Sequence, residues 1–193
     1  MTGGTDVDRR SMESRSGEPS GGSAVRVGIV GVGSQIMGDD GLGKHVVDEL
    51  AAGPVGTRED VSLTHAGTMA FFALEAMSGC ELGIVIDAIE TGDPPGTVHR
   101  YRYVDGGFEG PVPDITLHDF SFVDALQAGT EAYELPPELL VYGVEPATIE
   151  PSLELSDRVQ RAVPRLVEAI MEQLPAEPGK RAALPGQMHG RES

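Results

Sequence analysis

With 193 residues, 39% of them hydrophobic, the chain is long enough for one domain with a sizeable core. Its net charge of −17 sets it against nucleic-acid backbones and anionic membrane surfaces, which would repel it. The excess belongs to the body of the chain: residues 25–174 carry 8 Lys plus Arg against 25 Asp plus Glu, and only Lys44 and Lys180 are lysines, a surface suited to a salt-rich cytoplasm or to an acidic mesophilic enzyme.

Residues 1–24 are Gly, Ser, Thr and charge with almost nothing to bury, and read as a disordered tail. Arg9 and Arg10 superficially suggest a twin-arginine export signal, but no apolar stretch follows them. No run is long enough to span a bilayer, and Cys80, the single cysteine, allows no intrachain disulfide. These features place the chain in the cytoplasm, with Cys80 in a packing role rather than as a nucleophile. Residues 175–193 are again Pro, Gly and charge; they read as a second flexible tail, which makes His189 a poor site candidate.

Between the tails, residues 25–174 alternate strand and helix. A valine-rich strand, Val25 to Val30, precedes a glycine loop and a helix from Lys44 to Ala52. A strand over Val61 to His65 leads to a helix from about Thr68 to Ser78, with Thr68 suited to cap it. The apolar strand Leu82 to Ile86 ends at Asp87, and Thr97 to Val104 alternates as an edge strand would. A turn-rich loop from Gly106 to Pro113 precedes a helix capped by Asp119 and running through Ala128. The strand Leu139 to Val144 and the amphipathic helix Asp157 to Leu174 complete the domain, and Pro164 should kink or interrupt that helix. The pattern predicts an α/β fold, a three-layer helix-sheet-helix sandwich with a mostly parallel twisted sheet, phosphorylase/hydrolase-like in outline.

The chemistry concentrates in GIVGVGSQIMGDDGLG, Gly28 to Gly43. Gly31 and Gly33 suggest a dinucleotide fingerprint, but Ile36 stands where the third glycine should allow close helix packing, so that motif fails. What remains is a loop carrying two adjacent acids, Asp39 and Asp40, to the start of a helix. One acid there is explained by the helix dipole alone. Asp40 and Asp87 both follow strand ends, and His118 precedes a helix, so three residues from separate elements could converge beyond the carboxyl edge of the sheet. Two carboxylates and an imidazole form a donor set for a first-row divalent metal. His65 follows the second strand toward the same rim, while His45 and His99 read as structural or solvent-facing. No Ser-His-Asp or Cys-His arrangement is evident.

Four blocks, in order, resemble the hydrogenase maturation endopeptidases. GVGSQIMGDDGLG is similar to that family's acid signature, with Ser34 where Asn is usual; DAIETGDPPGTV, from Asp87, is similar to its second acidic motif. LHDFSFVDAL, Leu117 to Leu126, resembles its histidine block, and LLVYGVEPATIEPSLELS, Leu139 to Ser156, its Gly-Val-x-Pro strand and following helix start. The resemblance implies an endopeptidase that removes the C-terminal extension of the nickel-iron hydrogenase large-subunit precursor once nickel is inserted. It implies Asp40, Asp87 and His118 as contacts to nickel supplied by that precursor, with no organic cofactor. Cleavage would use a metal-assisted water, or an acid-base pair of Asp39 or Asp40 with Asp87. A nonproteolytic metal-binding assembly factor of the same fold is the alternative.

Overall fold

The first strand, β1 (Val27–Val32), is buried along its whole length because helices cover both of its faces. The computed structural model describes residues 25–110, 116–117 and 120–177. After β1 come α1 (Leu42–Ala52), β2 (Val61–Gly67), α2 (Ala70–Met77), β3 (Leu82–Ala88), β4 (Val98–Val104) and the two-residue β5 (Gly107–Phe108). A small hairpin, β6 (Thr116–Leu117) and β7 (Phe120–Ser121), leads into α3 (Phe122–Gly129), followed by β8 (Glu138–Val144) and α4 (Asp157–Met171).

The main sheet runs β2-β1-β3-β8-β4-β5. The first four strands in that order are parallel; β4 returns antiparallel to β8, and β5 pairs with only the last two residues of β4. The expected three-layer sandwich is therefore present, with a mixed sheet whose antiparallel strands lie at one edge. Period-two alternation divides the core between the two faces. Ile29, Ile84, Ile86 and Tyr142 meet α1 and α4, while Val30, Val85, Leu139 and Val141 face α2 and α3.

Several boundaries differ from the sequence reading, each for a local reason. Helix α2 starts at Ala70 after Met69, not at a Thr68 cap, because Gly67 (φ 59°) still belongs to the end of β2. Helix α3 begins at Phe122, and the expected cap Asp119 lies outside the described residues. The Gly106–Pro113 segment contributes β5 instead of loop alone. Helix α4 ends at Met171 and is not interrupted by Pro164, which lies on its exposed side, where a lost backbone donor costs least. The reading of two flexible tails falls mainly on residues outside those described.

The glycine missing from the dinucleotide pattern is supplied further along. A Cβ on Gly31 would lie 2.2 Å from the carbonyl oxygen of Gly43, and one on Gly43 would lie 2.4 Å from the nitrogen of Val32. Gly43, in the first turn of α1, thus allows the strand and helix backbones to touch. The longer interval between the two glycines is the acid loop.

Candidate active site

The strand order places a topological switch point between β1 and β3: the chain leaves β1 toward β2 on one side, and β3 lies on the other. Ligand crevices in such sheets open here, beyond the carboxyl ends of the strands. At the end of β1, Gly33 adopts φ 102°, and a Cβ on it would fall 1.9 Å from the carbonyl oxygen of Asp40. Gly33→Ala should therefore destabilise the fold by about 2 kcal/mol or more, combining left-handed strain with a backbone clash. An unchanged urea midpoint would refute this account of the turn.

The loop folds back so that a short 3-10 turn, Gly38–Gly41, presents its two acids in different environments. The half-buried Asp40 accepts the Ser34 backbone N–H at 2.6 Å through Oδ2. This bond uses the main chain of residue 34, so it does not require the asparagine usual in the resembled motif. Asp39 is fully buried, and its carboxylate accepts the N–H groups of Ala147 (2.8 Å), Thr148 (3.2 Å) and Ser156 (2.7 Å) and the Ser156 hydroxyl (2.9 Å). Asp39 thus ties the β8–α4 connection to the acid loop. Both of its oxygens are engaged in holding that connection, while one oxygen of Asp40 has no donor among the described residues.

Asp87 is 3% exposed and lies within β3, one residue before the strand ends. Alternation places it with Val85 on the face covered by α2 and α3. Its Oδ1 accepts the N–H of Ala88 at 2.9 Å. Burial, and then the nearby negative charge of Asp40, push its carboxyl well above the ordinary range, while the Ala88 bond pulls weakly the other way. Asp40 and Asp87 are therefore brought together electrostatically, from two elements, at the switch point.

His118 lies outside the described residues. Among the described residues no three His, Cys, Asp or Glu side chains are grouped closely enough to hold a metal ion. His65, on the rim as expected, places Nε2 3.1 Å from the Gly33 carbonyl oxygen. Since a carbonyl only accepts, Nε2 is the donor in this contact. His99 instead faces Asp93 and Thr91. Cys80 precedes the amino end of β3, at the opposite edge of the sheet from Asp87, and burial pushes its thiol up, consistent with packing.

Sequence reasoning passed over Glu145. It is 7% exposed, directly after β8, and accepts the Thr91 N–H (2.6 Å), the Thr91 hydroxyl (2.7 Å) and the Gly92 N–H (3.3 Å). Burial raises its carboxyl, but these donors outweigh burial and hold it below its ordinary range. Glu145 thereby fixes the loop that follows Asp87. The available signal was an acid between a buried strand and a proline, in Val144-Glu145-Pro146.

Fold and site together define an α/β protein with two carboxylates of unlike environment at the carboxyl edge of its parallel strands. The sequence profile of the hydrogenase maturation protease family matches residues 45–173, a span that includes Asp87 and begins just after the acid loop. The chain belongs to that family. It is 33% identical over 131 residues to hydrogenase expression/formation protein HupM of Azotobacter chroococcum, covering 67% of this chain and 61% of that one. It is 26% identical over 156 residues to the hydrogenase 2 maturation protease of Escherichia coli, covering 78% and 91%. The crystal structure of a hydrogenase 2 maturation peptidase from Thaumarchaeota archaeon SCGC_AB-539-E09 superposes with a TM-score of 0.56 at 28% identity, over 76% of this chain and 96% of that one. The chain spans about three-fifths of the length of the HupM-type relatives it matches.

Proposed function

We propose that this protein is the endopeptidase that removes the C-terminal extension of a nickel-iron hydrogenase large-subunit precursor after nickel has been inserted. The observation that carries this reading is the Asp40–Asp87 pair at the switch point, in a chain whose family consists of hydrogenase maturation proteases. Exposed Ile36 and Leu153 also offer the acid loop's surroundings as a surface for a protein substrate.

In the proposed reaction Asp87, whose hold on its proton is strengthened by burial and then by Asp40, is the group that can donate one. Asp40, oriented by the Ser34 N–H, is the group that can accept one from an attacking water. Nickel carried by the precursor would meet Asp40, Asp87 and His118. Recognition of that nickel by these donors would couple the site to a loaded precursor. The metal is thus part of the substrate. Among the described residues no helix is long and apolar enough to cross a membrane; the proposed action is on a precursor in the cytoplasm.

Intact-mass spectrometry of the precursor, with and without inserted nickel, tests the proposal. Loss of one short C-terminal peptide from the nickel-loaded form alone is the expected result. Stable complex formation with no change in mass would replace the peptidase by a metal-dependent assembly factor, and cleavage that ignores nickel would remove the metal checkpoint.

A further inference from the structure

Five of the eight lysines and arginines of residues 25–174 have a side-chain partner. Lys44 pairs with Asp48, Arg26 with Glu81, Arg58 with Asp60, and Arg102 with both Glu109 and Glu138, while Arg100 bonds Tyr142. The exceptions are Arg158, Arg161 and Arg165, exposed on α4 and within ion-pair distance of no carboxylate among the described residues. Spaced i, i+3 and i+7, they form one stripe about 10 Å long. Together with Pro95 and Gly96 they line a groove of about 300 Å³, which runs on into a second of about 510 Å³ bordered by Thr97, Val98 and Ala169.

Helix stability does not explain the first arginine of the stripe. Arg158 lies in the first turn of α4, where the helix dipole disfavours a cation. Both walls are also rooted at the candidate site: Pro95 and Gly96 belong to the loop that follows Asp87, and the first turn of α4 is held through Ser156 by Asp39. A Cβ on Gly96 would meet the Arg158 carbonyl oxygen at 2.8 Å, so the two walls are in direct contact at that end.

We infer that this groove binds a peptide segment of the protein substrate that alternates carboxylate and small apolar side chains. Arginine pairs bidentately with carboxylates, and the continuation past Val98 and Ala169 offers small apolar contacts to other residues of the same segment. A net charge of −17 sets the rest of the surface against any polyanion, so the attraction is confined to this stripe of about 10 Å and suits a short acidic segment rather than a nucleic-acid backbone. That the peptide belongs to the substrate rests on the peptidase reading; the preference for carboxylates does not.

The test uses the full chain and fluorescence anisotropy with a labelled decapeptide of alternating Asp and Ala. Binding should weaken at least tenfold in Arg161→Gln/Arg165→Gln, weaken with added salt, and be lost when Asn replaces Asp in the peptide. Equal affinity of the variant, or of the Asn peptide, overturns the inference, and a short DNA duplex bound with the same arginine dependence overturns the choice of ligand. In precursor processing the same variant should raise KM about tenfold with kcat within twofold, and an unchanged KM removes the substrate from the groove. If the wild-type protein cleaves nothing, the peptidase reading fails while anisotropy still decides the groove.

Discussion

Asp39→Ala is expected to lower the unfolding free energy by about 3–5 kcal/mol, among the largest effects of any single substitution in this chain. The substitution strips four donors of one acceptor group: the N–H groups of Ala147, Thr148 and Ser156, and the Ser156 hydroxyl. Each buried donor left unsatisfied costs about 1–3 kcal/mol, partly recovered if water reaches the loop. Asp39→Asn should recover only part of the loss, because an amide presents one accepting oxygen and would turn its NH₂ toward one of the donors. The consequence reaches beyond stability. Ser156 caps α4 through the Val159 N–H, and the Ser152 N–H to Ile36 carbonyl bond at 3.0 Å joins the two loops that Asp39 binds. Urea unfolding followed by circular dichroism measures the effect, and a loss below about 1 kcal/mol would show that the β8–α4 connection is held by something else.

Asp87→Asn should separate function from stability in the opposite direction. Processing is expected to fall by about 10²–10⁴-fold, the range associated with removing a positioned acid-base group. At pH 7 the folded protein should gain on the order of 1–2 kcal/mol, because a buried carboxyl facing Asp40 is replaced by a neutral amide of the same shape. The pH dependence follows from the direction of the shift. A carboxyl raised in the folded state keeps its proton where the unfolded chain has lost it, so the native state binds more protons and stability falls as pH rises from the unfolded value through the folded one. This contribution should vanish in Asp87→Asn. Chemical denaturation of wild type and variant across pH 4 to 8 checks both points; parallel stability profiles would mean that Asp87 does not carry the raised affinity for its proton.

The alternation of apolar strands and amphipathic helices was legible because burial on both faces leaves a continuous valine-rich run, as in β1, and a one-sided helix leaves a stripe, as in α4. Strand-end acids were legible for a related reason. Asp87 ends an apolar run that cannot otherwise tolerate a carboxylate, so its position announced either a site or a buried partner. Boundaries were less legible, since Thr68 has the chemistry of a cap but β2 extends through Gly67. The antiparallel pairing of β4 with β8 was invisible too, because the hydrophobic pattern of one strand does not name its neighbour.

Sequence by itself determined the class of fold, the acid loop, and Asp40 and Asp87 as residues of interest, because each is written in local periodicity or in a motif of fixed spacing. It could not assign different work to Asp39 and Asp40, which are adjacent and chemically identical. Tertiary structure decided that, since the 3-10 turn aims one carboxylate at three backbone N–H groups and a hydroxyl arriving from more than a hundred residues away, and leaves the other near Asp87. Glu145 and the arginine stripe were decided in the same way. Whether a charge is paired depends on which elements fold against it, and that is a property of the assembled sheet and helices rather than of any segment of the chain.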